Sequence, residues 1–244
     1  MAFMSVFLCA NFAACSSSDD DEPSENGGGE VTTSEKKIVK IACKAEDWSE
    51  TRTFDYDDKG RLIQSIETDE ENNKTYTYVY KYIWGDNAIK VSYDDGDSYT
   101  LTLKDGLVQS SYDGDIFTYN QSKKFIKGEN EWETITAIWD GDKLMSISNE
   151  DEDAILTYSK SCKKGYFPFI PTMIDFGSEY LFVAHPEIAG MRTAQLPSSV
   201  TWDNEETSIL TYEFDKEGYI SKVVGKETYR DGYTETYTYT ITWQ

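Results

Sequence analysis

The sequence is short of the residues from which most catalytic and metal sites are built. It contains a single histidine, His185, and four cysteines among 244 residues. One histidine excludes a histidine metal cluster and a paired-histidine proton relay. No G-x-S-x-G, H-E-x-x-H, C-x-x-C or phosphate-binding glycine motif occurs in the sequence. We therefore predict a structural role for His185 and assign no catalytic, cofactor-binding or metal-binding residue.

Positive charge is also scarce. The chain has 23 Lys and Arg against 45 Asp and Glu, which gives a formal net charge of -22. Because affinity for phosphate backbones and anionic lipids comes from Lys and Arg, this composition excludes nucleic acid and anionic membrane surfaces as partners. The acidity is typical of a soluble, extracytoplasmic protein surface.

The apolar run at the N-terminus, residues 1–14, is too short to span a bilayer as a mature helix and predicts a signal peptide. Its end, Ala13 and Ala14 before Cys15, resembles the lipobox in which bacterial lipoproteins are acylated and cleaved. Two features depart from that pattern: no Lys or Arg precedes the run, and Phe12 stands where Leu is commoner. We expect lipid attachment at Cys15, with the anchor giving a membrane partner, over an ordinary thiol.

Residues 15–36 contain almost no apolar side chain, and we expect them to form a flexible acidic tether. The run of acids at residues 19–22 resembles the surface-export signal of Bacteroidota lipoproteins, although the Lys that this signal often includes is absent. The expected location is the outer membrane, with the domain exposed at the surface or facing the periplasm.

Residues 37–244 are predicted to form one domain, in which Cys43 and Cys162 are the remaining cysteines. An oxidising compartment permits a disulfide between them. Both cysteines fall at predicted strand ends, and their positions in the sequence do not make them neighbours. We favour two separate buried thiols over a bridge.

Short stretches of this domain alternate apolar and polar residues, the period of half-buried strands. TYTYVYKY at 75–82 and TYTYTITW at 236–243 are two examples. Asp-Gly and related dipeptides separate the stretches, and these are strong hairpin signals. The pattern predicts an all-β, up-and-down antiparallel meander of about 14 to 16 strands, forming a strongly curved sheet or a barrel.

Three segments share one order of features, namely an aromatic strand, an acidic turn and an aliphatic returning strand. They are TRTFDYDDKGRLIQSIE from Thr51, ITAIWDGDKLMSISNE from Ile135 and LTYEFDKEGYISKVVGKE from Leu210. This unit resembles tyrosine-aspartate repeats. With GMRTAQLPSSVTW from Gly190, it makes residues 37–244 similar to the Bacteroidota lipoprotein family of domain of unknown function 4595. The resemblance implies a porin-like β fold and brings no activity, ligand or catalytic residue.

One apolar segment, residues 165–197, interrupts the strand pattern. Prolines punctuate it, and Met173, Phe176, Tyr180 and Val183 recur at helical spacing. We predict a short helix near 172–184 that fills the hollow of the sheet, with Phe176 buried.

Two binding interpretations compete with structural ones. Acidic turns such as Asp94, Asp95 and Asp97, or Asp140 and Asp142, offer oxygen ligands for calcium. No loop matches the EF-hand spacing, and the turns themselves already account for these acids. Aromatic strand faces suit sugar rings, but they are also what a β core looks like, and we favour the core. Five tryptophans near turns are expected to be partly exposed: Trp48, Trp84, Trp132, Trp139 and Trp202.

These observations favour a non-enzymatic envelope lipoprotein that acts as a binding or scaffold module, with a glycan or a protein as its ligand. The alternative is a glycan-binding or glycan-hydrolysing surface lipoprotein whose carboxylates the sequence does not locate. A transmembrane porin is disfavoured because Lys, Asp and Glu occur on both faces of the strands and leave no lipid-facing band.

Overall fold

A computed structural model describes residues 35–46, 48–71, 74–111, 114–150, 152–173, 179–202 and 206–244. Sixteen strands follow one another in antiparallel order, and the last strand pairs with the first, so the sheet is a closed barrel. The all-β meander is confirmed, and of the two predicted forms the barrel is the one present. The predicted signal peptide, the lipidated Cys15 and most of the tether lie outside the described residues.

The strands are β1 Ile38–Lys44, β2 Trp48–Tyr56, β3 Leu62–Glu71, β4 Lys74–Trp84, β5 Ala88–Tyr93, β6 Ser98–Lys104, β7 Leu107–Ser110, β8 Ile116–Tyr119, β9 Phe125–Glu129, β10 Thr134–Asp140, β11 Lys143–Ser148, β12 Asp153–Ser161, β13 Gln195–Trp202, β14 Thr207–Phe214, β15 Ile220–Thr228 and β16 Thr234–Trp243. Because side chains of a strand alternate between faces, one set fills the barrel and the other meets solvent. In β16, Tyr237, Tyr239, Ile241 and Trp243 are buried inside. No helix in the described residues is long and apolar enough to cross a bilayer.

Three hairpin turns at the same end of the barrel share one hydrogen-bond pattern. The Oδ1 atom of Asp57 accepts hydrogen bonds from the backbone amides of Lys59 and Arg61, at 3.0 and 2.9 Å. Asn120 and Asp215 accept the same two bonds in later turns. A side chain that caps its own turn in this way fixes the hairpin register. Two of the three units seen in the sequence, those from Thr51 and Leu210, therefore share this turn structure.

A second repeated contact joins the strands of each pair. Near the end of seven of the eight even-numbered strands, a Tyr hydroxyl or Trp indole donates to a backbone carbonyl of the preceding strand. The donors are Tyr56, Trp84, Tyr119, Trp139, Tyr158, Tyr212 and Trp243. These rings also pack against the core. Much of the aromatic content is thus structural, as expected.

The connection from β12 to β13, residues 162–194, turns into the barrel and forms a plug. The part of the plug that the structure describes, which leaves out residues 174–178, contains a 3₁₀ turn, Pro171–Met173, and a helix, α1 Glu179–Ala184. The plug side chains Phe167, Ile170, Leu181 and Phe182 are fully buried. The predicted filling segment with its short helix is therefore confirmed, and α1 lies within the range predicted for that helix. Phe176 lies outside the described residues.

Gly190 holds the plug close to the barrel wall. Its φ of +66° is in the left-handed region, and a Cβ atom there would lie 2.6 Å from the carbonyl oxygen of Lys123. Its own carbonyl accepts a hydrogen bond from the amide of Phe125 at 3.1 Å. Only glycine allows this close approach of two backbones.

The two ends of the barrel differ. Both termini of the domain and the plug's connections lie at one end, which we call the plugged end; there, the amide of Lys37 bonds the carbonyl of Gln244 at 2.8 Å. Since turns alternate between ends in a meander, the turns after β1, β3 and β5 lie at the other end. We call that opposite end the mouth.

Candidate functional site

Four charged side chains lie on the inner wall near the mouth. Strands β2 and β3 place Glu50 opposite Asp69 and Arg52 opposite Glu67. All four alternate with outward-facing residues and share the inner face with the buried ring of Phe54. Charges here are exceptional, since most of the barrel interior is apolar.

Arg52 links the acids to one another. Its Nε atom contacts a carboxylate oxygen of Glu50, and its Nη2 atom lies 3.6 Å from Oε1 of Glu67. Glu50 and Arg52 are each only 6% exposed. Carboxylate oxygens of Glu50, Glu67 and Asp69 all lie within 4.8 Å of one another. The cluster has three carboxyl groups and one guanidinium, so acidic side chains are in excess.

This environment changes how the acids titrate. Burial raises the pKa of Glu50 to about 7, and the attraction of Arg52 opposes that rise without cancelling it. Burial also raises the pKa of Asp69, again against the effect of Arg52. Glu50 is therefore a carboxyl group that exchanges its proton close to neutral pH.

We expect Glu50 to make the fold less stable as the pH rises. The unfolded chain releases this proton near its ordinary pKa, whereas the folded protein keeps it until about pH 7. Ionisation in the folded state is thus penalised, by about 3 kcal/mol across that interval. Urea unfolding of wild type and Glu50→Gln at a series of pH values should show the unfolding free energy of the wild type falling relative to that of the variant as the pH rises from the ordinary glutamate pKa of 4.5 to about 7. Parallel curves would contradict the assignment.

Tyr180, at the start of α1, connects the plug to this group. Its hydroxyl donates a 2.5 Å hydrogen bond to Oε2 of Glu67. The Arg52 guanidinium lies over its ring, 4.4 Å from the centroid. A cation at this distance from an aromatic face is attracted by the ring. The plug thus forms the floor of the mouth.

Tyrosine rings continue the wall across β4, β5 and β6. The ring of Tyr80 lies 4.9 Å from that of Tyr180 and 5.4 Å from that of Tyr93, which in turn lies 5.8 Å from Tyr99. Four rings thus form a connected cluster beside the carboxylates. Such a cluster offers both apolar faces and hydroxyl groups to a ligand.

Two further tyrosines extend the wall toward solvent. Tyr78 pairs across the sheet with Glu67, and Tyr76 pairs with Asp69. They are 44% and 45% exposed although they belong to the same face as the buried Tyr82. The mouth therefore presents aromatic surface that a ligand can reach.

A second acidic group lies on β15 and β16. Glu227 and Glu235 are directly opposite each other. The Tyr229 hydroxyl donates to Glu227 at 3.0 Å, Ser208 donates to Glu227 at 3.3 Å, and Tyr237 donates to Glu235. Like the first group, it faces the interior next to the mouth.

Trp48 joins the two acidic groups. It is the first residue of β2, its ring lies 6.0 Å from the ring of Tyr237 on β16, and it is half-buried.

The inward-facing charges of β2 and β3, together with the adjoining tyrosine cluster, make up what we call the mouth site: Glu50, Arg52, Glu67, Asp69, Tyr76, Tyr78, Tyr80, Tyr93, Tyr99 and Tyr180.

A solved structure shares this architecture. A porin-like protein from Bacteroides uniformis matches 85% of this chain and 96% of its own, with a TM-score of 0.67 and 18% sequence identity. The chain has a porin-like barrel fold. The porin-like fold implied by the sequence resemblance is thereby confirmed. A porin-like protein from Bacteroides vulgatus also aligns, over 86% of this chain and 99% of its own, with a TM-score of 0.30 and 11% identity. No protein-family model and no curated protein matches the chain.

The single histidine of the porin-like barrel, His185, is buried and hydrogen-bonded within the fold. The Nε2 atom of His185 accepts a hydrogen bond from the amide of Leu62 at 3.1 Å, and its Nδ1 atom lies 2.8 Å from Oε1 of Glu187. Nδ1 therefore carries the proton. The ring lies 5.3 Å from Trp84 and 6.0 Å from Tyr56. His185 joins the plug to β3 and lies apart from the mouth site.

The acids considered as calcium ligands belong to turns. Asp95 accepts a 3.0 Å hydrogen bond from the amide of Asp97 within an exposed turn. Asp142 pairs with Lys124 at 2.5 Å and accepts from the amide of Ala194 at 3.1 Å, which fastens the plug to the β10–β11 turn.

The remaining sequence predictions concern tryptophan and cysteine. Trp48, Trp84, Trp139 and Trp202 are half-buried, and Trp132 is exposed, as expected for indoles near turns.

Cys43 and Cys162 are separate buried thiols. Burial raises the pKa of Cys43 to about 12, so this thiol stays protonated.

Proposed function

We propose that this porin-like barrel is a non-enzymatic binding module of the cell envelope, tethered through a lipid on Cys15, and that it holds a saccharide at the mouth site. The observation that supports the proposal most is the joining of exposed tyrosine rings to paired charges on one rigid inner wall. Sugars need both parts, because their C–H faces stack on aromatic rings while their hydroxyls bond to charged groups.

The packing of the barrel favours a binding cavity that is closed at one end over an open channel. The plug residues Phe167, Ile170 and Phe182 are fully buried at the centre of the interior. Outward positions of the strands are mostly Thr, Ser and Lys, as in the TYTYTITW strand. A transmembrane barrel needs a continuous apolar band on that surface. Binding at the mouth is the function that this arrangement suits.

The position of the tether leaves the mouth site accessible to a ligand. The described chain begins at Glu35, and Lys37 bonds to Gln244 at the plugged end. A lipid anchor upstream of residue 35 therefore pulls on the end of the barrel that lies farthest from the mouth. The mouth site is then free to meet ligands on the solvent side.

Tyr78→Ala should weaken saccharide binding by about tenfold, the effect of losing one stacked ring. Because Tyr78 is partly exposed, the substitution should leave the fold intact. A glycan array would identify a retained saccharide, and calorimetric titration of that saccharide would give the affinities. Ile138→Ala on the outer face of β10 is the control. Retention of no glycan by wild type, or equal losses in both variants, would refute the proposal.

Glycan hydrolysis is a second candidate, favoured by one specific observation. The carboxylates of Glu50, Glu67 and Asp69 lie close together, and retaining glycosidases hold their two carboxyl groups about 5 Å apart. The contact of Glu50 with Arg52 and its burial argue for a binding role instead. A reducing-sugar assay on the retained glycan decides between the two. Turnover that Glu50→Gln abolishes would replace the binding proposal with hydrolysis.

A further inference from the structure

We infer that the mouth site selects saccharides that carry protonated amines, with oligomers of glucosamine as the ligand class. This inference rests on the proposed function and names the chemistry of its ligand. A ligand of this class carries a sugar ring that stacks on tyrosine and a cationic group that pairs with carboxylates.

The first observation is the sign of the charge on the inner wall. Across the neighbouring strands β15, β16, β1, β2 and β3, carboxyl groups outnumber cationic groups at the inward positions near the mouth. The carboxyl groups of Glu50, Glu67, Asp69, Glu227 and Glu235 lie there together with the guanidinium of Arg52. A concave wall with one excess sign and apolar surroundings concentrates ions of the opposite sign. Anionic glycans are repelled by the same field.

The second observation is the aromatic cluster beside these acids. Tyrosine faces attract ammonium and guanidinium groups, and the site already shows this interaction between Arg52 and Tyr180. The rings of Tyr80, Tyr93 and Tyr99 continue from Tyr180 in an unbroken series. An amino sugar placed along them would meet aromatic faces and carboxylates together.

The third observation is a small cavity at the buried end of the acidic group. Glu50, Arg52 and Tyr239 line this cavity, which has a volume of about 10 Å³. Tyr239 is 2% exposed, and its hydroxyl shares a hydrogen bond with the thiol of Cys43. The volume fits one water-sized polar group. The cavity thus leaves room beside Glu50 and Arg52 for one water molecule that bridges to a ligand.

The test is a titration of the domain with four probes near neutral pH, where amines still carry protons and Glu50 is partly ionised. The probes are the glucosamine tetramer, the same tetramer fully N-acetylated, cellotetraose and spermine. We expect the glucosamine tetramer to bind at least about tenfold more tightly than its acetylated form, because acetylation removes the charge and keeps the rings. Spermine has as many amines and no ring, and it should bind more weakly than the glucosamine tetramer.

The outcomes distinguish the amine inference from the proposed function. Equal binding of the acetylated and unacetylated tetramers would overturn the amine inference and leave saccharide binding intact. Spermine that binds as tightly as the tetramer would overturn the assignment to a sugar. Failure of all three tetramers to bind would count against the proposed function itself.

A pair of variants tests whether the selectivity for amines arises at the mouth site. Asp69→Asn removes a negative charge from the mouth site while keeping the shape of the side chain. It should reduce the ratio of the two tetramer affinities by about threefold or more. Asp140→Asn removes the same charge from an exposed turn at the plugged end and should leave the ratio unchanged. Equal ratios in Asp69→Asn and wild type would overturn the inference.

Discussion

Phe182→Ala is expected to lower the free energy of unfolding by about 3 to 5 kcal/mol, the usual cost of emptying a buried Phe site. Phe182 lies in α1 of the plug, is 1% exposed, and packs 6.1 Å from the ring of Phe117 on β8. The cavity left behind is enclosed by the barrel wall, which is hydrogen-bonded all the way round and cannot collapse inward. The loss is a large share of the stability of a typical domain.

Denaturant unfolding followed by tryptophan fluorescence would measure this effect. Ile138→Ala is the matched control, since Ile138 is a large apolar residue that is 63% exposed on the outer face of β10. It should change the unfolding free energy by less than about 0.5 kcal/mol. If the two variants unfold at the same denaturant concentration, the plug does not form the core of the barrel.

Cys15→Ala is expected to move the protein completely from the membrane fraction to the soluble fraction. Acyl chains on a lipobox cysteine contribute about 0.8 kcal/mol for each buried CH₂ group, and two or more chains give stable anchoring. The domain itself is acidic, with a net charge of -22 over the whole chain, and has little attraction for anionic lipid. The anchor should therefore account for all of the membrane binding.

Fractionation in high salt, with circular dichroism of the released protein, would test this expectation. The spectrum should keep its β-sheet signature, because Cys15 precedes the domain. Cys43→Ala serves as a control that removes a buried thiol of the domain and leaves the protein with the membrane. A Cys15→Ala protein that still sediments with membranes would show that the anchor lies elsewhere.

The strands could be predicted because each one carries its own signal. The alternation at 75–82 and 236–243 and the capped turns at Asp57 and Asp215 are local features, and local features are visible in one sequence. Closure of the barrel could not be predicted, because it depends on the pairing of β1 with β16, which joins the two ends of the domain. The plug could be anticipated because an apolar segment of that length needs burial.

The short helix could be predicted near 172–184 because Met173, Tyr180 and Val183 are at helical spacing in an apolar segment. In the described residues of that range, the chain forms a 3₁₀ turn at Pro171–Met173 and a short helix at Glu179–Ala184. The bounds of these elements could not be predicted, because the barrel wall surrounds the plug on several sides and its apolar residues do not need to form one helical face.

The mouth site could not be assembled from the sequence, because its residues come from β2, β3, the plug and β4 to β6. Tyr180 and Glu67 are 113 residues apart and share a hydrogen bond. One signal was nevertheless present: Glu50 and Arg52 share a strand face with Phe54, and Glu67 shares one with Ser65. Charges on the core face of a strand violate the binary pattern, and such violations tend to mark functional positions.

Hydrogen exchange with and without a saturating tetrasaccharide, the one that binds most tightly in the titration, tests the central claim most directly. If the mouth site holds the saccharide, amide exchange should slow in β3 and β4 around Glu67 and Tyr78 and stay unchanged at the plugged end. The plugged end has its own cleft of about 410 Å³, lined by Lys124, Asp142 and Arg192. Slower exchange around that cleft, with none at the mouth, would contradict saccharide binding at the mouth site.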